Sequence, residues 1–141
     1  TVFVATAAVA DWRPASTAEH KIKKDGTGQV PHMAFVENPD ILSEVAHSKR
    51  ALSGELYCVG FAAESENLQA NAQAKRVRKG VPLLVANLGP ATFGKDDNAL
   101  LLVDDEGVAE LPRASKRALA QQLVAEIARR VKGDDAIEKK E

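Results

Sequence analysis

Leu56-Tyr57-Cys58-Val59-Gly60-Phe61-Ala62-Ala63 runs into Glu64-Ser65-Glu66-Asn67 and then into Leu68-Gln69-Ala70-Asn71-Ala72-Gln73-Ala74-Lys75-Arg76-Val77-Arg78-Lys79. The first run is short, apolar and contains Tyr, Val and Phe, the length and composition of a buried strand. The second is a polar break. The third has few β-branched residues and ends in cations followed by Gly80, which is how a helix stops. Strand, turn and helix in that order form the repeating unit of an open α/β sheet. Ligands of such sheets collect at the carboxyl ends of the strands, so Phe61 to Glu64 is where a small molecule is expected.

Working outward, Val81-Pro82-Leu83-Leu84-Val85-Ala86-Asn87 reads as the next buried parallel strand, and Thr1 to Ala8 as an earlier one. Leu88 to Asn98, with Gly89-Pro90 and Phe93-Gly94, reads as a loop on the ligand side. Ala99 to Val103 and Val108 to Leu111 flank Asp104-Asp105-Glu106-Gly107, a hairpin pattern with glycine in the turn. Ser115 caps a last helix in which Leu119, Leu123, Ile127 and Val131 repeat at helical spacing. From Lys132 the chain is charged and is expected to be disordered. Alternating segments of this kind predict an α/β layer fold with a mainly parallel sheet and an antiparallel hairpin at its edge.

At 141 residues the chain is one domain, and its 45% hydrophobic but only 4% aromatic content makes the core Ala, Val and Leu. A formal net charge of -1 gives no electrostatic footprint for nucleic acid. The single cysteine, Cys58, cannot form an intrachain disulfide; lying in a buried strand, it reads as a packed thiol. No apolar run reaches the roughly 20 residues that span a bilayer, and no signal peptide is present, so the expectation is a soluble cytoplasmic protein.

Several ligand-side positions carry chemistry. Asp11, in Val9-Ala10-Asp11-Trp12-Arg13-Pro14, reads either as a metal or hydroxyl ligand or as a turn carboxylate bonded to its own backbone. Lys21-Ile22-Lys23-Lys24 before the glycine-rich Asp25-Gly26-Thr27-Gly28 reads as a phosphate-gathering flap or as a solvated loop, with His32 to Val36 as the returning strand. Asn38-Pro39-Asp40-Ile41-Leu42 has the form of a helix start, with Asn38 as N-cap and the helix continuing to about Ser48. His20, His32 and His47 have no metal-site spacing. The chain contains no G-x-G-x-x-G, no Walker motif and no nucleophile elbow, which argues against a nicotinamide dehydrogenase, a P-loop enzyme and a serine acyl transferase.

Four blocks, Ala7-Ala8-Val9-Ala10-Asp11-Trp12-Arg13, Lys21-Ile22-Lys23-Lys24, Asn38-Pro39-Asp40-Ile41, and Val59-Gly60-Phe61-Ala62-Ala63-Glu64 with Lys75-Arg76-Val77-Arg78-Lys79, together resemble phosphopantothenoylcysteine synthetase. The resemblance continues through Ala86-Asn87 and Asp97-Asn98-Ala99-Leu100. It implies an open, mainly parallel Rossmann-like sheet with helices on both faces, an antiparallel edge hairpin and a flap. It also implies a ligase that joins 4'-phosphopantothenate to L-cysteine with CTP and Mg2+ through an acyl cytidylate, releasing pyrophosphate and then CMP. In bacteria the domain is usually the carboxyl-terminal half of a protein whose other half is a flavin-dependent decarboxylase, and it commonly forms homodimers. Carried over by position, Lys21 is catalytic, and Ala5, Thr6, Ala7, Asp11, Lys21, Pro39, Asp40, Ile41, Leu42, Phe61, Lys75 and Lys79 contact the nucleotide. Asp11 also helps hold the metal, and Asp40 faces a ribose hydroxyl. The resemblance places 1–131 as the synthetase domain without its first βα segment and 132–141 as a tail. A noncatalytic nucleotide-binding or dimerisation module is the alternative.

Overall fold

The computed structural model describes residues 1–138 apart from 25, 27, 31 and 93. In chain order its elements are β1 (Val2–Val4), β2 (Trp12–Pro14), β3 (Phe35–Glu37), α1 (Ile41–Ala46), α2 (Lys49–Leu52), β4 (Tyr57–Glu64), α3 (Leu68–Lys79), β5 (Leu83–Leu88), α4 (Gly89–Thr92), β6 (Asp97–Val103), β7 (Val108–Ser115) and α5 (Lys116–Glu138). Two compact units divide them: Thr1–Thr6 with the chain from Leu42 onward, and Ala7–Ile41.

The larger unit is a five-stranded sheet in the order β1-β4-β5-β6-β7. The first three strands are parallel, with Val4 opposite Val59 and Val59 opposite Leu83. The last three run antiparallel, Leu84 meeting Val103 and Val103 meeting Val108. Strand β5 is apolar and buried from Leu83 to Ala86 because both of its faces are covered. Leu84 and Ala86 pack with Ala46 of α1 and Ala72 of α3 on one face. Leu83 and Val85 pack with Leu119, Leu123 and Ile127 of α5 on the other. A strand covered on both faces has no polar side to display. Cys58 belongs to the first cluster, where burial pushes its thiol pKa up.

One glycine sets how closely a helix can approach the sheet. A Cβ on Gly60 would stand 2.8 Å from Leu42 Cδ2 and 2.9 Å from Leu84 Cδ1. The bare backbone at Gly60 is what lets the start of α1 lie on β4. Gly80 meets the other special requirement: at φ 68° it ends α3 with its N–H bonded to the carbonyls of Arg76 and Val77, the stop expected from the sequence.

At the far side, Ser115 Oγ accepts from Ala118 N at 3.2 Å and starts α5 as expected. That helix continues to Glu138, so residues 132–138, expected as disordered tail, are helical. The run contains no proline to stop a helix already propagating. Upstream, Arg130 fixes the helix to the β6–β7 turn. Its Nε and Nη2 lie 3.0 and 2.9 Å from Asp104 Oδ2, and its Nη1 is 2.6 Å from Glu126 Oε2. The other oxygen of Asp104 closes the hairpin turn itself, accepting from the N–H groups of Glu106 and Gly107.

The smaller unit is a two-stranded antiparallel ribbon, β2 with β3, in which Arg13 faces Val36 and Pro14 faces Phe35. The sequence suggested a turn for Val9 to Pro14; residues 12–14 are instead strand, Pro14 being tolerated because this ribbon has an open edge on each side. The returning strand is Phe35–Glu37, shifted from the expected His32 to Val36. The lysine-bearing stretch lies between the two strands, with Asp25 and Thr27 outside the described residues. Trp12 is 60% exposed. Asn38 is not an N-cap, because α1 begins three residues later at Ile41 and ends at Ala46; Ser48 caps the separate α2.

Candidate functional site

In the larger unit, several of the marked residues gather at the carboxyl ends of β1 and β4. Ala5 N donates to Val59 O at 2.9 Å, which is the last bond between the two strands. Ala5 and Thr6 therefore lie at the end of β1, and Phe61 lies just beyond it on β4. The side chains do not all share one face. Leu42 packs with the α1 and α3 cluster, whereas Phe61 packs with the α5 cluster on the opposite face. A ligand touching both has to cross the carboxyl edge of the sheet, which is where open α/β sheets bind small molecules.

Lys75 reaches that edge by ion pairing. Its Nζ is 2.8 Å from Glu64 Oε1 at the end of β4, with the lysine 29% and the glutamate 15% exposed. The contact is a charge pair without aligned hydrogen-bond geometry, since that oxygen has no hydrogen-bond partner. Lys79 stands apart from this group. It is the last residue of α3, about 16 Å along the helix axis from Leu68. The helix returns antiparallel to the strands, so Lys79 belongs to the amino-terminal end of the sheet. One further pair marks the carboxyl edge: Asn87 Nδ2 donates to Thr92 Oγ1 at 2.8 Å, and Thr92 is buried. Asn87 is in register with Ala63 of β4.

The smaller unit holds Ala7, Asp11, Lys21, Pro39, Asp40 and Ile41, all of them exposed. Asp11 and the Pro39–Asp40 stretch are brought together through Asn38. Asn38 N donates to Asp11 O at 2.8 Å, and its Nδ2 donates to Ala10 O at 2.7 Å. Arg13 Nη1 donates both to Asn38 Oδ1 and to Glu37 O, each at 2.9 Å. Thus the Asp11 carbonyl is tied down while its carboxylate stays in an exposed residue. Lys21 lies in the stretch between β2 and β3. Among the described residues no group of three or more His, Cys, Asp or Glu is assembled to hold a metal ion, and no helix is long and apolar enough to cross a membrane.

Residues 1–131 match the model of the DNA/pantothenate metabolism flavoprotein C-terminal domain. The chain belongs to that family. Members similar to it include the coenzyme A biosynthesis bifunctional protein CoaBC of Escherichia coli strain K12, 42% identical over 133 residues that cover 92% of this chain and 32% of that protein. The CoaBC of Vibrio cholerae is 40% identical over 126 residues, covering 87% and 31%. The chain thus spans about a third of the length of these relatives. Among solved structures, the C-terminal domain of a CoaBC protein superposes with a TM-score of 0.69 at 26% identity, over 94% of this chain and 55% of that one. A Cab2 variant in complex with phosphopantothenate-cysteine has the same fold, with a TM-score of 0.69 at 19% identity over 95% and 45%.

The hydrogen-bond and ion-pair roles of Arg13 and Asn38 in the smaller unit, and of Glu64 and Thr92 in the larger, were not read from the sequence. Glu64 and Thr92 do carry a signal, a polar side chain within or just past the carboxyl end of a parallel strand. Arg13 and Asn38 carry none beyond their membership of the two blocks.

Proposed function

We propose that this chain is the synthetase part of a ligase that joins 4'-phosphopantothenate to the amino group of L-cysteine, with CTP as the activating nucleotide. The observation that carries the reading is the identity of 40% or more to CoaBC proteins over nearly the whole chain. Each unit supports it by itself: the smaller has an exposed carboxylate and an exposed lysine stretch, the larger a sheet edge bearing Lys75, and these are parts that a triphosphate and its metal require.

The carboxylate oxygen of 4'-phosphopantothenate attacks the α-phosphorus of CTP; the bond to the β-phosphate oxygen breaks, giving an acyl cytidylate and pyrophosphate. The cysteine amine then attacks the acyl carbon, loses a proton, and expels CMP as the amide forms. Two anions must meet in the first step, so cations are needed most where charge develops at the α-phosphate. Lys21 supplies that charge as a mobile point cation, and Lys75, held by Glu64 at the strand end, attracts the remaining phosphates. Asp11 would hold Mg2+, which offsets phosphate charge when bound. One exposed carboxylate suits this ion, which takes few protein ligands and completes its shell with phosphates and water. Pro39, Asp40 and Ile41 contact the nucleoside, with Asp40 accepting from a ribose hydroxyl. The protein works as a homodimer, β7 offering an edge strand for pairing.

The test is pyrophosphate release by the full-length protein given CTP, 4'-phosphopantothenate and cysteine. The expected result is release that requires 4'-phosphopantothenate and stops after about one turnover when cysteine is withheld. CTP binding with no substrate-dependent release would leave a noncatalytic nucleotide-binding module and overturn the ligase reading.

A further inference from the structure

The smaller unit presents a problem of physical economy. Val9, Trp12, Ile22, Val30, Met33, Phe35 and Val36 are all exposed, so this segment has no apolar core of its own to fix its shape. Of its described residues, Asn38 alone is not exposed. The same residue carries the unit's cross-links: main-chain N–H to Asp11 O, Nδ2 to Ala10 O, and Oδ1 from Arg13 Nη1, the last donor being shared with Glu37 O. A side chain spent on two distant partners, Ala10 and Arg13, is not serving the helix that follows it.

We propose that Asn38 and Arg13 are positioning residues of the synthetase reaction: they clamp the Ala10–Asp11 turn against the Pro39–Asp40 stretch and so set the geometry of the metal- and ribose-binding carboxylates. This rests on the roles given above to Asp11 and Asp40. Neither clamp residue touches the nucleotide in this account. Arg13 is in register with Val36, one pair in from the end of the ribbon, and Ala15 N donates to Ala34 O at 2.8 Å on its other side. The clamp therefore also closes the base of the stretch that carries Lys21, a stretch of twenty residues between β2 and β3 with no strand or helix among those described. Among the described residues the segment buries little apolar surface, so hydrogen bonds carry much of its orientation. Asparagine is suited to this place because its amide donates and accepts at once; aspartate keeps only the acceptor.

The test is a double-mutant cycle in the full-length protein, read as kcat and KM for CTP. The variants are Asp11→Ala, Asn38→Ala, Asn38→Asp and the Asp11→Ala/Asn38→Ala pair, with thermal midpoints measured alongside. Misplacement by about 1 Å costs on the order of a hundredfold, so Asn38→Ala is expected to lower kcat/KM for CTP by about 10- to 100-fold while the midpoint holds. In the Asp11→Ala background the same change is expected to cost several-fold less than in the parent, only the part acting through Asp40 remaining, because residues acting through one another are not additive. Asn38→Asp should resemble Asn38→Ala, since it keeps the bond from Arg13 but loses the one to Ala10. Equal losses in the two backgrounds would overturn the clamp while leaving the ligase reading intact, and so would unchanged parameters in Asn38→Ala. Unchanged kinetics in Asp11→Ala would instead remove the role of Asp11, and the clamp with it.

Discussion

The sheet unit and the 7–41 segment are built by opposite means. In the sheet, Leu83, Leu84, Val85 and Val103 are wholly buried and order is a by-product of close packing on two faces. In the segment, Val30 is 90% exposed and Phe35 56%, and order comes from a short ribbon and the bonds of Arg13 and Asn38. The difference assigns separate duties. Packing holds a backbone in place whatever charges it carries; in the segment Asp11 and Lys21 are exposed, as the proposed function requires of groups that meet phosphates and their metal. Stability should therefore reside in the first region and nucleotide chemistry mainly in the second.

The largest break in that comparison should come from the sheet. Leu84→Ala removes a wholly buried side chain between α1, α3 and β4, and about 2–5 kcal/mol of stability should go with it. Urea unfolding measures this; a loss under about 1 kcal/mol would mean the packing is looser than described. Gly60→Ala is the next test, because its added methyl would meet Leu42 and Leu84 below 3.0 Å. Overpacking of this kind costs about 1–3 kcal/mol. Since the family resemblance assigns Leu42 a nucleotide contact, the KM for CTP is expected to rise in the same variant. Destabilisation with an unchanged KM would separate Leu42 from the site.

A smaller effect sharpens the boundary of the sheet unit. The Arg130 guanidinium, bonded to Glu126, draws the Glu126 pKa below its ordinary value, with Arg129 adding to the pull. A depressed folded pKa contributes stability at pH above the unfolded value of about 4 and loses it as pH falls through the folded one. Glu126→Gln should therefore be less stable than the parent at pH 7, with the gap closing below about pH 4. A gap that stayed constant with pH would show that the contact acts without its charge.

How much of this was legible depended on whether the cause was local. Strand β4, its polar break and α3 follow from composition and from Gly80, and α3 has the predicted limits Leu68 and Lys79. Helix α5 was readable from Leu119, Leu123 and Ile127, but its end was not, because a charged run with no apolar spacing reads alike as tail and as helix. Asn38 was misread for a similar reason: Asn-Pro-Asp is the local signature of a cap, and only the distant partners Ala10, Asp11 and Arg13 reveal its use. The Glu64–Lys75 pair escapes local patterns too, since it joins a strand to a helix across eleven positions. Lys79 was carried over by resemblance, and its place at the end of α3 sets it apart from Phe61 and Glu64.

One measurement joins the two halves of the comparison: turnover and thermal midpoint of the Lys21→Gln variant of the full-length protein, on the same preparation. Lys21 is exposed and lies in the segment without a core. Removing one group that stabilises developing charge costs about 10²- to 10³-fold in turnover. An exposed substitution, by contrast, changes stability by about 0.5 kcal/mol at most, roughly 2 °C for a domain of this size. A fall of that order in turnover with the midpoint unmoved is the predicted result. Full turnover, or a midpoint that falls together with it, would contradict the division of labour between the two regions.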